Sequence, residues 1–178
     1  MILVYTVALA LVMSLGAFGR LRTTEIHITR GGALAMLFAL QAALRAWANA
    51  ESGGGVALLA WGLVMLGLAA MLFENRGIVG MPLVLMGVLA NLLVVVANDG
   101  MPVAGDALDT SSAFGGFYQP SSVATQLEWL GDILPDPSGK WLMSLGDLLL
   151  IVGAATVIVS GSGVGTDAAE AGWRLGRR

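Results

Sequence analysis

Eight side chains in this sequence could bind a polar group: Gln41, Arg45, Asn91, Asn98, Asp99, Asp132, Ser144 and Asp147. Most of them interrupt or border long apolar stretches, where a polar group is costly and therefore informative. Gln41 and Arg45 are four residues apart and share a helix face; Asn91 and Asn98 are seven apart and share another. At 1.5 Å per residue, Asn91 lies roughly 10 Å deeper than Asn98. Two kinds of chemistry are open to these residues. Asp132 and Asp147 could share a proton and activate water, or Arg45 could pair with Asp99, Asp132 or Asp147 and lower that carboxylate's pKa. A capping role competes with both. Ser144-x-x-Asp147 has capping-box spacing, with Asp in place of Glu or Gln. Asn98-Asp-Gly100 fits a helix C-terminus in which Gly100 supplies the left-handed residue.

Other chemistries lack their residues. The sequence has no cysteine, which excludes disulfides, thiolate metal sites and cysteine nucleophiles. Its one histidine, His27, has no cysteine, second histidine or carboxylate cluster beside it to form a metal or catalytic site. No P-loop, dinucleotide fingerprint, serine triad or nucleic-acid patch is present. The expectation is a ligand-binding site made of the eight residues, with no catalytic residue, metal or cofactor and no nucleic-acid partner.

These side chains are carried by five apolar runs, roughly Ile2–Phe18, Gly31–Trp47, Gly55–Phe73, Met81–Ala97 and Leu145–Val159. A membrane-spanning helix needs about 17–25 mostly apolar residues; the last run reaches that length when Trp141–Ser144 are included. Of the 178 residues, 57% are hydrophobic and 12% charged, against about 25% charged in a soluble domain. The expected fold is all-α: a polytopic bundle of five transmembrane helices in one domain over 1–160, with spans near 2–18, 31–47, 55–73, 81–97 and 142–159. A flexible cytoplasmic tail over 161–178 follows.

Seven of the nine Lys and Arg residues (Arg20, Arg22, Arg30, Arg76, Arg174, Arg177 and Arg178) fall in segments that five spans place on one side. The cytoplasmic side normally collects this excess, which sets the amino terminus outside and the carboxyl terminus inside. No Lys or Arg precedes Arg20, so the first run reads as an uncleaved span rather than a signal peptide. The candidate polar residues then gather in the outer half of the bilayer or at its surface.

The long outer loop over 98–140 is acidic, with a middle rich in Ser, Gly and Pro over Asp109–Ser122. Ser121–Leu134 follows with Val123, Leu127, Leu130, Ile133 and Leu134 near helical spacing. It is expected to be an amphipathic helix lying on the membrane or capping the bundle. Short gaps make runs two to four antiparallel neighbours, and Gly62, Gly67 and Gly87 allow their close approach.

The order Asn98-Asp-Gly-Met-Pro-Val103, Leu130-Gly-Asp-Ile-Leu-Pro135 and Ser144-Leu-Gly-Asp147, with Gln41 and Asn91-Leu-Leu, resembles an uncharacterised family of small bacterial five-helix membrane proteins, a domain of unknown function. The resemblance covers roughly Ile2–Val159 and is lost in the tail. Asp99-Gly100 stands in place of the family's Gly-rich stretch, and the usual basic residue before Met-Pro is missing. The resemblance implies a multi-pass protein of the bacterial cytoplasmic (plasma) membrane and supplies no activity. The favoured expectation is non-enzymatic binding of a partner, lipid headgroup or small polar ligand at an outer-face pocket, with the lipid bilayer as constant partner and a membrane protein or second copy as further candidates. The alternatives are an intramembrane carboxylate-dependent hydrolase and a subunit of an oligomeric transporter.

Overall fold

The structure, a computed structural model, describes residues 27–50, 54–104, 116–135 and 142–161. The first apolar run, the tail beyond Gly161, and Lys140 and Trp141 lie outside them. Among the described residues four α-helices form: α1 (Gly31–Ala50), α2 (Gly54–Glu74), α3 (Met81–Asn98) and α4 (Leu145–Gly161). Each tracks an apolar run to within a few residues. By length and composition, α1, α2 and α3 could cross a membrane, and α4 is a shorter apolar helix. The chain is therefore mostly helical, as composition required.

The helices pack in sequence order, α1 on α2, α2 on α3, and α3 most extensively on α4. On α2, Trp61, Met65, Leu68 and Leu72 point inward at helical spacing, while Val56, Leu59, Leu63 and Leu66 are exposed. On α3, Val84, Val88, Asn91 and Val95 are buried, and Met86, Leu89, Leu93 and Val96 face out. A helix whose inner and outer faces are both apolar suits a hydrocarbon surround. An apolar cleft of about 200 Å³ opens between α1 and α4 at the end of the bundle near Met81 and Val157.

Glycine sets the α3–α4 distance. Gly87 lies so close to α4 that a Cβ there would sit 2.6 Å from Gly146 O, and a Cβ at Gly80 would sit 2.6 Å from Gly153 O. The two pairs are seven residues apart on both helices, two turns, so the helices meet twice along one antiparallel seam. Gly80 also takes a left-handed φ of 96° just before Pro82 opens α3, a backbone state that glycine alone adopts freely.

The other end of the bundle is capped by irregular chain. Strand β1 (Met101–Val103) pairs in parallel with β2 (Tyr118–Pro120). On its other side β1 bridges to Asp132, whose N–H donates to Pro102 O at 2.8 Å and whose carbonyl accepts from Ala104 N at 3.1 Å. Strand β3 (Leu134–Pro135) pairs antiparallel with β4 (Leu142–Met143). Met101, Val103, Phe117 and Leu130 are buried beneath this cap.

The amphipathic helix expected over Ser121–Leu134 does not form. The segment holds turns, a single 3₁₀ turn over Glu128–Leu130 and the start of β3. Two features forbid the helix. Leu127 has a left-handed φ of 52°, and Asn98 occupies both backbone groups of Gln126. Asn98 Nδ2 donates to the Gln126 carbonyl and Oδ1 accepts its N–H, each at 2.8 Å. Val123, assigned to the apolar face, is fully exposed.

Candidate functional site

Where α3 and α4 meet the cap, three side chains close a ring of hydrogen bonds. Ser144 precedes α4, and its Oγ accepts the Asp147 N–H at 2.9 Å. The same hydroxyl donates to Asn91 Oδ1 at 2.8 Å, and Asn91 Nδ2 donates to Asp147 Oδ1 at 3.0 Å. The capping spacing is therefore real, but the aspartate does not turn back to its own helix start. It ties α4 to α3. Ser144 is fully buried and Asn91 nearly so, and mutual satisfaction is what makes polar groups at such a position tolerable.

On the α1 side the polar groups meet aromatic rings. Trp61 Nε1 donates to Gln41 Oε1 at 3.3 Å. Trp61 and Phe117 pack edge-on with centroids 5.1 Å apart, and Phe117 and Tyr118 do the same at 5.2 Å. Arg45 Nη2 donates to the Tyr118 hydroxyl at 2.5 Å, and its guanidinium lies 4.9 Å from the Phe117 ring centre and 5.6 Å from that of Tyr118. Such cation–π contacts hold an arginine without any carboxylate. Among the described residues the ion pair is elsewhere, Arg30 with Glu74 at 3.1 Å on the surface.

Asp132 feels the charge of both groups, through Asp147 and Arg45. Its backbone is fixed by β1, its side chain is buried, and Oδ1 has no hydrogen-bond partner. Burial above all, then the field of Asp147, push its carboxyl from an ordinary 3.8 up to about 7, against a smaller opposing pull from Arg45. Burial also raises the Tyr118 phenol; Arg45 opposes that shift, while Asp132 and Asp147 add to it. Arg45, Tyr118, Asp132 and Asp147 thus share one electrostatic neighbourhood. A buried carboxyl with an empty acceptor beside a cation is a group awaiting a partner, a proton at the least.

A family described as a Family of unknown function (DUF5317) matches residues 25–159. The chain belongs to that family. No curated protein and no solved structure matches it. The matched part of this DUF5317 chain spans every described element from α1 to nearly the end of α4 and includes all eight candidate residues.

Of those eight, Arg45, Asp132 and Asp147 come together, with Asn91 and Ser144 attached through Asp147 and Gln41 through the Trp61–Phe117 wall. Asn98 is used up as the clasp on Gln126. The Asp99 side chain is exposed at the end of α3, its backbone carbonyl accepting from Gln119 Nε2 at 2.6 Å. Asp99 itself takes the left-handed conformation assigned to Gly100, with φ 52° and ψ 32°. His27 is exposed, and no group of metal-ligating side chains forms among the described residues.

Sequence reasoning passed over the aromatic floor. Phe117-Tyr118 was absorbed into a Ser/Gly/Pro loop, although two adjacent aromatics in such a loop are themselves a signal for burial. Asn75, a buried polar residue at the opposite end, is a second one that the sequence does not single out. It accepts the Thr29 N–H at 2.8 Å and donates to the Thr29 and Met71 carbonyls.

Proposed function

We propose that this protein is a five-span component of the bacterial plasma membrane, amino terminus outside, whose capped end binds a partner, a lipid headgroup or a small polar ligand without turning it over. The lysine and arginine distribution supports the orientation. It makes the cap extracytoplasmic and puts the Asn91–Ser144–Asp147 ring at the outer edge of the bilayer. The observation carrying the binding reading is the buried Asp132 carboxyl, whose Oδ1 has no donor although Arg45 and Asp147 are near enough to shift it. A scaffold that only needed stability would do better with an apolar residue there.

Native mass spectrometry of the protein released from its own membrane, beside Asp132→Asn, tests this reading. A discrete species bound to the wild type and lost in the variant is the expected result. Bare protein in both samples, with wild-type folding, would overturn it.

The influence of Asp147 on Asp132 also supports the alternative of a carboxylate-dependent hydrolase, in which protonated Asp132 is the acid and Asp147 the base. Asp147 is, however, already engaged by Asn91, which favours binding over catalysis. Hydrolysis of an added peptide or ester, abolished by both Asp132→Asn and Asp147→Asn, would reverse that preference.

A further inference from the structure

The hydrogen-bonding capacity of this polar cluster is unfilled at both poles. At the negative pole Asp132 Oδ1 accepts nothing, and Asp147 Oδ1 takes the Asn91 amide. At the positive pole Arg45 spends one N–H on the Tyr118 hydroxyl, and a guanidinium carries five in a planar fork suited to phosphate and carboxylate. The simplest internal remedy, collapse of Arg45 onto Asp132, does not occur. Arg45 is instead held over Phe117 and Tyr118, and Phe117 is backed by Trp61. The scaffold keeps the two poles apart.

An anion alone would satisfy Arg45 but add to the repulsion between Asp132 and Asp147. A cation alone would satisfy the carboxylates but face Arg45. Resting on the pocket reading above, we propose that the occupant is a small zwitterion, an ammonium joined by a short linker to a phosphate or carboxylate, with the ammonium donating to Asp132 and the anion accepting from Arg45. A phosphoethanolamine group has this form, whether free or as the head of a membrane lipid.

To take an ammonium, Asp132 must first release its proton, so binding strengthens as the pH rises through about 7. The charged and titratable groups facing it are Asp147, Arg45 and Tyr118.

The test uses the full chain in phosphatidylglycerol nanodiscs, titrated with O-phosphoethanolamine, ethanolamine and inorganic phosphate. A parallel sample is held in phosphatidylethanolamine discs. Phosphoethanolamine is expected to bind at least about ten-fold more tightly than either fragment, a preference that Asp132→Asn and Arg45→Gln each remove. Asp132→Asn removes a buried charge and is expected to fold; a thermal unfolding curve verifies this before titration. Lipid as the source is indicated if phosphatidylethanolamine discs block the free compound and the wild type alone retains that lipid after extraction. A free ligand is indicated if both discs bind the compound equally. Inorganic phosphate binding as tightly as phosphoethanolamine, or a preference unchanged in Asp132→Asn, overturns the zwitterion. The pocket reading survives that result provided the native-spectrum species is still lost in Asp132→Asn. Failure of every probe in both discs also overturns the zwitterion.

Discussion

Gly146 leaves the space that Asn91 fills: a Cβ added at Gly146 would overlap Asn91 Oδ1. The site's central polar residue and the tightest helix contact are thus one feature. Gly146→Ala must push Asn91 out of its ring with Ser144 and Asp147 as well as separate the helices. Overpacking of this kind costs about 1–3 kcal/mol. Thermal unfolding in detergent is expected to show a loss in that range, larger than for Gly62→Ala, where an added Cβ meets only the Leu92 side chain at 4.0 Å.

Asn91→Ala removes the Asp147 donor and the Ser144 acceptor together. Interhelical hydrogen bonds in membranes contribute about 1–2 kcal/mol at most, so Asn91→Ala and Asp147→Ala should each destabilise on that scale. The double variant should fall short of the sum by at least about 0.5 kcal/mol. Strict additivity in the cycle would mean that the bond contributes nothing.

Stability should depend on pH through Asp132. Its carboxyl holds a proton more tightly when folded, up to about 7, than when unfolded, near 3.8. The folded state therefore binds the extra proton between those values, and stability is full below about pH 4 and declines as the pH rises to about 7. At about 1.4 kcal/mol per pKa unit the decline is on the order of 4 kcal/mol. Asp132→Asn should flatten it and leave the variant more stable than wild type at neutral pH, as chemical unfolding at two pH values would reveal.

The two clamps at the opposite end differ in kind. Asn75 is buried and makes three hydrogen bonds to backbone, so Asn75→Ala should cost about 1–3 kcal/mol and expose the chain around Thr29 to protease. Arg30–Glu74 is exposed on both sides, and Glu74→Gln should change stability by less than about 1 kcal/mol.

The proposed orientation can be read by labelling, since the chain has no cysteine of its own. Val123→Cys, exposed on the cap, should react with an impermeant maleimide on intact cells. Arg76→Cys, exposed in the α2–α3 turn, should react only after permeabilisation. The reverse pattern would invert the topology and move the site to the cytoplasm.

The helices were legible because a run of apolar side chains at this length admits one structure in a bilayer. Asn91, Ser144 and Asp147 stood out for the same reason, as polar groups in expensive positions. The cap was not legible. Met101–Val103 is too short to show a period, and its partners, Tyr118–Pro120 and Asp132, lie distant in sequence. At Ser121–Leu134 the spacing of Val123, Leu127 and Leu130 matched a helix. The competing signal lay elsewhere: Asn98, on α3, takes over the hydrogen bonds of Gln126. Periodicity within a segment cannot register a side chain arriving from outside it.

The glycine seam has a further consequence. Gly80 against Gly153 and Gly87 against Gly146 engage at equal spacing, so α3 and α4 fit in one register; sliding by a single turn would drive side chains into backbone at both contacts. The height of Asn91 relative to Ser144 is therefore gauged from the far end of the helix pair. A side chain added at Gly80, two turns below Gly87 and remote from every charged group of the pocket, would be felt there as a misalignment of its ring, transmitted along a pair of rigid rods rather than through any chain of polar contacts.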